Sequence, residues 1–364
     1  MFSRTYQAFF IFSVLWLTAC GGGNSSPSVS VTTANALNYG QASVFTVAVG
    51  PLDQNISASA QGCLNLAPVA GGDSTSQLWT CTVDAVGTAA VKLQIKTNTG
   101  TVLYEQSFDV PVPTSPVVTA IQSDRLMYSK TTTFTFTGQS LDKDFSVSIK
   151  GCKGLALVAG GSASSQSVTC AVNVVGTAAV VVDAKLVSGT VLQSKLFDVL
   201  APQVTLTTNL GTMVVELNPS AAPITVDNFM QYVADKFYDN TIFHRIYAVG
   251  ISVIQGGWLN TTPAIQPGQR AAIPLEVGKG LSNVRGTIAM ARQSGLDSAT
   301  SQFYFNVIDN TPLDTANGGY AVFGKVVSGL ETMDAIFKVP TATQYEIPDF
   351  PTTNVIVQSA LQTR

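Results

Sequence analysis

Short runs in which apolar and polar residues alternate recur from residue 30 to residue 201, for example VFTVAV at 44–49 and TFTFTG at 133–138. A period of two is typical of a β-strand with one buried face, and turn-forming residues separate the runs. No segment in this region has the 3.6-residue period of an amphipathic helix. The pattern therefore predicts an all-β N-terminal region.

This region is an internal duplication. Residues 62–110 align with 151–199 without a gap at an offset of 89: GCLNLAPVAGG matches GCKGLALVAGG, VGTAAV recurs, and GTVLYEQSFDV matches GTVLQSKLFDV. Upstream, Tyr39 corresponds to Tyr128 at the same offset. Repeated short strands predict two β-sandwiches. They resemble bacterial immunoglobulin-like extracellular modules, and we expect them to be spacers or interaction modules.

The pattern of apolar and polar residues changes after residue 201. The segment 204–219 predicts a hairpin of two alternating strands around Asn-Leu-Gly. The segment 221–238 predicts a helix, because its apolar residues recur at helical spacing: Val226, Phe229, Met230, Val233 and Phe237. Pro223 suits the first helical turn. A second helix is predicted at 329–337. Strand-like segments between them predict a closed β-barrel whose ends the two helices cover.

The N-terminus is predicted to be an export signal. It combines Arg4 with a short apolar run from Ala8 to Leu17, too short for a comfortable membrane span. The sequence LTAC at 17–20 resembles the lipobox of bacterial lipoproteins, which implies cleavage before Cys20 and lipidation of Cys20. The alternative is an ordinary secretory signal with an incidental cysteine. The glycine- and serine-rich 20–29 that follows is typical of a flexible tether.

These observations predict the compartment and the domains. We expect an exported protein, lipid-anchored to the bacterial envelope, at the outer membrane and facing the periplasm or the surface. The predicted segments are a signal peptide at 1–19, a tether at 20–29, immunoglobulin-like sandwiches at 30–113 and 114–201, and a C-terminal barrel domain at 202–364. Only 11% of the residues are charged and the net charge is −3, which argues against a nucleic-acid surface.

The cysteines predict disulfides. Apart from Cys20, the chain has Cys63, Cys81, Cys152 and Cys170, which form two pairs, each separated by 18 positions. In exported proteins such cysteine pairs are oxidised to disulfides. A disulfide that closes a loop of this size stabilises the fold by roughly 3 kcal/mol. The spacing is not that of a zinc or redox motif. With a single histidine, His244, in the chain, we predict no metal site and no cofactor.

Five segments of the C-terminal region resemble the cyclophilin family of peptidyl-prolyl cis–trans isomerases. They are IFHRI at 242–246, VIQGG at 253–257, RGTIAMAR at 285–292, SATSQFYFNV at 298–307 and GYAVFGKVVSGLE at 319–331. The five occur in the family's order and near its spacing. The resemblance implies that the C-terminal region is a cyclophilin-like closed β-barrel capped by two helices, and it does not concern the two repeats. Together with the repeats, it gives the expected fold: a mainly β chain of two tandem immunoglobulin-like β-sandwiches followed by this barrel.

The resemblance also implies site residues. Arg245 matches the catalytic arginine, and Gln255 is assigned with it to catalysis. The implied substrate-binding residues are His244, Val253, Met290, Ala291, Gln302, Tyr304, Leu313 and Tyr320. Alternation along a strand would turn His244 and Arg245 to opposite faces, so we expect packing rather than chemistry from His244. The alternative for Arg245 is a surface salt bridge.

Several positions depart from the family pattern. Ser252 and Val253 occupy the places of a Phe–Met pair, and the segment between Arg245 and Gln255 is two residues longer. Ser252 would weaken the floor of the proline pocket unless Ile251 or Val249 turned inward. Tyr304 replaces a phenylalanine, and its hydroxyl then needs a polar partner. Pro312, before Leu313, lies where an aromatic residue is common.

We therefore predict a peptidyl-prolyl cis–trans isomerase that assists the folding of exported proteins. Its expected partners are proline-containing unfolded or exported polypeptides and, through the N-terminal lipid, the membrane. Two alternatives remain open. The domain could bind proline segments with little or no turnover, or the protein could be a surface adhesin acting through its immunoglobulin-like pair. A serine hydrolase is excluded, because no GxSxG segment accompanies the single histidine.

Overall fold

The computed structural model describes residues 28–50, 56–73 and 75–364. The predicted signal peptide and the lipidation site Cys20 lie outside these residues. The described chain is mainly β, as predicted. Its contacts define two compact units, one ending at Val112 and one starting at Pro113. No helix in the described ranges is long and apolar enough to span a lipid bilayer.

The first unit consists of two antiparallel sheets. Its strands are β1 (Val29–Thr33), β2 (Ala42–Val49), β3 (Ile56–Gln61), β4 (Cys63–Asp73), β5 (Ser76–Val83), β6 (Gly87–Thr97) and β7 (Val102–Val110). One sheet has the order β1-β2-β5-β4 and the other β3-β6-β7. Side chains of both sheets meet in one core, where Phe45 and Val47 face Leu93 and Ile95 with no exposed surface.

The second repeat has the same arrangement within the second unit. Its strands are β8 (Val117–Ser123), β9 (Thr131–Gln139), β10 (Phe145–Lys150), β11 (Cys152–Leu157), β12 (Ser165–Val172), β13 (Gly176–Leu186) and β14 (Val191–Val199). The sheets are ordered β11-β12-β9-β8 and β10-β13-β14. From β9 to β14, every strand starts 89 residues after its counterpart, as Thr131 follows Ala42. The duplication therefore extends to topology, whereas the immunoglobulin-like assignment and the domain boundaries remain predictions.

The segments that the repeats share have structural roles. The cysteine pairs are confirmed: Cys63 bonds to Cys81 and Cys152 to Cys170, with a Cα–Cα distance of 5.6 Å in each pair. In the first repeat, the GTAAV segment places Ala89 at φ 53°, and its N–H donates to Oδ1 of Asp109 at 2.7 Å. The second repeat has the same turn, closed by Asp198 at 2.7 Å. An aspartate in FDV thus holds the strained turn in GTAAV.

The rest of the second unit is a nearly closed barrel. Its strands are β15 (Gln203–Thr208), β16 (Gly211–Leu217), β17 (Thr241–Phe243), β18 (Arg245–Tyr247), β19 (Val253–Gly256), β20 (Thr287–Met290), β21 (Phe303–Asn306), β22 (Val322–Ser328) and β25 (Val355–Gln362). They form a sheet of order β17-β25-β15-β16-β22-β20-β21-β19-β18. The strands β23 (Thr341–Gln344) and β24 (Ile347–Pro351) pair as a separate hairpin.

The barrel closes at a single residue, His244. It separates β17 from β18, the two strands at opposite ends of the sheet order. The N–H of His244 donates to the carbonyl of Gln255 at 3.0 Å, and that of Ile242 donates to the carbonyl of Leu259 at 2.9 Å. These bonds tie the β17 end of the sheet to β19 and the residues after it, beside β18 at the other end.

Two helices pack on the barrel, α1 (Pro223–Ala234) and α2 (Leu330–Phe337). The predicted apolar face of α1 enters the barrel core through Val226, Phe229, Met230 and Val233. Its N-terminus has no local side-chain cap. Instead, the carboxylate of Glu276 accepts hydrogen bonds from the N–H of Ile224 at 3.2 Å and of Thr225 at 2.7 Å. A distant loop therefore satisfies donors that a helix start leaves unpaired.

Tyr128 of the second repeat belongs to the barrel core. It is 2% exposed and lies in the same apolar cluster as Val226 and Phe229. Gln362 of the last strand donates to its carbonyl oxygen at 2.8 Å. Its counterpart Tyr39 packs within the first sandwich. The two equivalent tyrosines have therefore taken different structural roles.

Candidate functional site

A row of paired residues crosses the outer face of the barrel. Arg245 on β18 is paired with Gln255 on β19, and Gln255 with Tyr304 on β21. Tyr304 is paired with Ala289 on β20, which is paired with Val322 on β22. Paired residues of an antiparallel sheet share a face. Five strands therefore bring a guanidinium, an amide and apolar side chains into one row.

The alternate row faces the barrel interior. Ile246 is paired with Ile254, Ile254 with Phe305, and Phe305 with Ile288, and all four are buried in the barrel core. Side chains alternate along each strand, so the inner row packs in the core and holds the strands in place. The row that begins at Arg245 faces outward.

An apolar patch adjoins Arg245 and Gln255. Its buried members are Val253, Ala289, Tyr304 and Val322, and Tyr247, Leu281, Ala291, Leu313 and Tyr320 pack around them. Tyr304 and Tyr320 meet edge to face with ring centroids 6.1 Å apart. The patch has the character needed to hold a small apolar ring beside polar groups. It includes five of the residues predicted to bind substrate, and a sixth, Gln302, lies beside Ala291.

The two predicted glutamines are joined directly. Nε2 of Gln255 donates to Oε1 of Gln302 at 2.9 Å, and the N–H of Ala291 donates to the carbonyl of Gln302 at 2.9 Å. An amide side chain has two donors and an acceptor. Each glutamine therefore keeps hydrogen-bonding capacity that a peptide backbone could use.

Arg245 lies at the end of the row with a partly exposed side chain, 37% accessible. Its guanidinium carbon lies 4.6 Å from the ring centroid of Tyr247. Its Nε lies 3.6 Å from Oδ2 of Asp349. The salt bridge considered as an alternative thus exists, at a position that leaves Arg245 in the outer row.

His244 is placed away from this surface. It is 2% exposed, and its ring meets Trp258 edge to face with centroids 5.2 Å apart. Burial, and then the neighbouring charge of Arg245, lower the pKa of His244 to about 4. The imidazole is therefore neutral at pH 7. Its burial supports packing rather than a substrate contact.

Met290 is likewise not brought to the patch. It is 1% exposed and belongs to the barrel core. The reason is alternation along β20: Ala289 faces outward in register with Tyr304, so the next residue faces inward. The structure gives no support for the expectation that Met290 lines the groove.

The hydroxyl of Tyr304 has the polar partner that burial requires. It donates to Oδ1 of Asn283 at 2.7 Å, and Nδ2 of Asn306 donates to the same oxygen at 3.1 Å. Nδ2 of Asn283 in turn donates to Asp314 at 2.8 Å. Burial opposes ionisation of Asp314, but bonds from Ser282 and Asn283 outweigh it and lower its pKa. The patch therefore rests on a satisfied polar network.

The segment around Ser252 contributes neither Val249 nor Ile251 to the apolar patch. Val249 is 73% exposed, and neither Val249 nor Ile251 belongs to the patch. Asn310 holds the backbone of Ser252 from both sides, accepting from its N–H at 3.0 Å and donating to its carbonyl at 2.9 Å. The condition under which the pocket floor would keep its apolar character, Ile251 or Val249 turned inward, is therefore not met by either residue joining the patch.

Two further features bear on the other predicted functions. Among the described residues, no group of three or more His, Cys, Asp or Glu side chains could hold a metal ion. The exposed large apolar residues of the two described repeats are aliphatic, and none is aromatic. An aromatic patch, which would favour adhesion, is therefore missing from this part of the chain.

The barrel domain is similar to known proteins. Residues 203–361 match the family model described as "Cyclophilin type peptidyl-prolyl cis-trans isomerase/CLD". The chain is 45% identical over 156 residues to the "Peptidyl-prolyl cis-trans isomerase" of Acinetobacter baylyi, an alignment that covers 42% of this chain and 81% of that protein. The chain belongs to the cyclophilin-type peptidyl-prolyl cis–trans isomerase family.

A further relative also carries the name of a peptidyl-prolyl isomerase. The "Peptidyl-prolyl cis-trans isomerase B" of Escherichia coli is 40% identical over 162 residues, which cover 43% of this chain and 96% of that protein. The crystal structure of a Cryptosporidium parvum cyclophilin-type isomerase aligns with 45% of this chain and 98% of its own, at 24% identity and a TM-score of 0.38.

The predicted mainly β fold with a cyclophilin-type barrel and the predicted enzyme class are thus confirmed. The barrel domain is a peptidyl-prolyl cis–trans isomerase, and cyclophilin-type isomerases act on proline-containing peptides. Four residues at the site were not among the predicted ones: Tyr247, Leu281, Asn283 and Asp349. Alternation could have identified Tyr247, two residues after Arg245. The other three lie in loops or a hairpin without periodic signal.

Proposed function

We propose that Arg245 is the catalytic residue of this cyclophilin-type isomerase. The supporting observation is the row on the outer face of the barrel, which sets Arg245 opposite Gln255 and beside the apolar patch. In this arrangement the patch holds the proline ring and the glutamine amides hold the flanking backbone. The guanidinium then faces the prolyl nitrogen.

The chemistry follows from the amide bond. Resonance keeps the bond before proline planar, and rotation costs about 18–20 kcal/mol. Twisting the bond removes the resonance and returns a lone pair to the prolyl nitrogen. A guanidinium donor that bonds this lone pair stabilises the twisted transition state more than the planar ground state. No proton is transferred, so neutral His244 is not needed as a base.

Typical interaction energies indicate how much of the rate acceleration Arg245 can supply and how much must come from the rest of the site. A hydrogen bond from a charged donor contributes roughly 1.5–3 kcal/mol, which is about one to two decades of rate. The remaining acceleration must come from the patch and the glutamines, which fix the peptide in a geometry close to the twisted state.

The test is isomerisation of a short Xaa-Pro peptide, followed by exchange NMR with the full chain. Arg245→Ala is expected to lower the catalysed exchange rate by about tenfold to a hundredfold. Arg125→Ala removes an exposed arginine of the second repeat and is the matched control. Wild-type exchange rates in Arg245→Ala would overturn the catalytic assignment.

The same experiment separates a second function, binding without turnover. This alternative is favoured by Ser252 and Val253, which replace a Phe–Met pair of the family pattern. Peptide chemical-shift changes without faster exchange in the wild-type chain would identify a recognition module. Faster exchange in the wild type identifies the enzyme.

We further propose that the protein is exported and lipid-anchored through Cys20, with the two repeats holding the isomerase away from the membrane, where it assists the folding of exported polypeptides. The signal-like N-terminus and the two disulfides support this location. Intact mass of the membrane-extracted protein should correspond to a chain beginning at a lipidated Cys20. An unmodified chain beginning at Met1 in the soluble fraction would contradict the proposal.

A further inference from the structure

The Arg245 guanidinium is held from two sides. The ring of Tyr247 lies under its face, 4.6 Å from the guanidinium carbon. The carboxylate of Asp349 lies at its inner edge, 3.6 Å from Nε. Nε is buried and has no hydrogen-bond partner among the described residues. The nearest charge to this atom is therefore the carboxylate, and the four N–H donors on the terminal nitrogens are left for a ligand.

The position of Asp349 is fixed by its hairpin. β23 and β24 are joined by Tyr345 and Glu346, both with positive φ, 53° and 62°. The neighbouring Phe350 is 1% exposed and packs with Ile242 and Leu259. With Phe350 buried, β24 lies against β18, and the carboxylate of Asp349 comes to lie beside Arg245. The hairpin thus delivers a carboxylate to Arg245 from a segment 104 residues away.

The backbone at Asp349 is itself unusual. Its φ is 59°, in the left-handed region. Aspartate and asparagine accept this conformation more readily than other non-glycine residues. Asp349→Asn therefore removes the charge while keeping both the shape and the tolerated backbone, which makes it an informative variant.

We propose that Asp349 is a positioning residue for catalysis: it holds Arg245 by its inner edge so that the terminal nitrogens face the prolyl nitrogen. This inference rests on the proposed catalytic role of Arg245. It goes beyond that role by assigning a function to the hairpin, which none of the family-like motifs includes.

Two opposing effects determine whether removing the Asp349 carboxylate raises or lowers the isomerisation rate. The carboxylate partly neutralises the guanidinium, so removing it would strengthen each donor. Removing it also frees a long side chain to leave its productive orientation. Both side chains are about one-third exposed, so solvent screens the charge effect. Misplacement of a reacting group is far more costly, since a displacement of about 1 Å can lower a rate about a hundredfold. The loss of orientation dominates.

The experiment measures Xaa-Pro exchange by the full chain in Asp349→Asn and Asp349→Glu. Glu346→Gln is the matched control, because it removes an exposed carboxylate of the same hairpin. We expect Asp349→Asn to lower kcat/KM about threefold to tenfold, chiefly through kcat, and Asp349→Glu to restore part of it. Glu346→Gln should match the wild type. The Nε–Hε signal of Arg245 should shift or broaden in Asp349→Asn, change less in Asp349→Glu, and stay unchanged in Glu346→Gln.

A double mutant distinguishes positioning from general damage to the hairpin. In the Arg245→Ala background, Asp349→Asn should have no further effect, because the group it positions is gone. Additive losses, or wild-type rates together with an unchanged Arg245 signal in Asp349→Asn, would overturn this inference alone. Wild-type rates in Arg245→Ala would instead overturn the proposed function on which it rests.

Discussion

The hydroxyl of Tyr128 donates a hydrogen bond of 2.5 Å to Oδ1 of Asp227 on α1, across 99 residues of chain. Burial, reinforced by this bond to Asp227, raises the pKa of Tyr128, so the hydroxyl remains a donor. The contact ties the second repeat to a helix whose other face fills the barrel core. The second repeat is therefore part of the structural support of the isomerase domain.

Tyr128→Phe is expected to weaken this support. The variant removes a bond to a charged acceptor, which contributes about 1–3 kcal/mol to local stability. Hydrogen-exchange mass spectrometry should show that the opening free energy of α1 falls by this amount. Tyr39→Phe, the equivalent change in the first repeat, should leave α1 unaffected. Unchanged protection in Tyr128→Phe would show that the bond is not formed in solution.

The burial of His244 predicts pH-dependent stability. Its pKa is about 4 in the folded chain and about 6.5 when unfolded. Between these values the unfolded chain binds a proton that the folded chain does not, so stability rises with pH across this window. Lowering the pH from 6.5 to 4 should remove about 3 kcal/mol of stability through this residue.

The measurement is direct, because His244 is the only histidine in the sequence. Its ring NMR signals should remain those of neutral imidazole from pH 8 down to about 5. His244→Gln should lose the corresponding part of the pH dependence of unfolding. A ring that titrates near pH 6.5 in the folded chain would contradict the burial.

Tyr304→Phe tests whether the Tyr304 hydroxyl is structural. The ring remains in the patch, while Asn283 loses one donor and keeps Asn306. We expect a loss of about 1 kcal/mol in unfolding free energy and isomerase activity within about twofold of wild type. A much larger loss of activity, measured by peptide exchange at constant folded fraction, would assign the hydroxyl to the reaction.

Glu276→Ala tests the long-range cap of α1. The variant leaves the N–H groups of Ile224 and Thr225 without their acceptor, which costs about 1–2 kcal/mol for a helix cap. Urea unfolding measured on the full chain should show this loss with unchanged kcat/KM. Glu331→Ala, an exposed first-turn residue of α2, should change stability by less than about 0.5 kcal/mol.

Periodicity predicted the elements better than their ends. The spacing of Val226, Phe229, Met230 and Val233 located α1 and its buried face. The pattern also included Phe237, which is buried, but the helix ends at Ala234 and Lys236 has a φ of 57°. Phe237 reaches the core through a turn and packs on Tyr232, with ring centroids 4.6 Å apart. The spacing of apolar residues thus predicts which residues are buried, and buried residues can continue beyond the end of the helix.

The site was predictable where it lies on short strands with family-like motifs, and not elsewhere. Arg245, Gln255 and Tyr304 come from three such motifs, and strand register brings them together. Asn283 and Asp349 reach the site through a loop and a hairpin, whose geometry depends on tertiary contacts. Met290 is the opposite case. It lies in a family-like motif and was predicted to bind substrate, but alternation along β20 places its side chain in the barrel core.

The closure at His244 also sets the order in which the site can assemble. β15 begins at Gln203 and pairs with β25, which also pairs with β17, the strand that precedes His244. A chain that emerges from its N-terminus thus holds Arg245 in an open sheet until residues 355–362 arrive. Pairings this distant in sequence form slowly. The site of this prolyl isomerase is therefore complete only when the strand at 355–362 has joined the sheet.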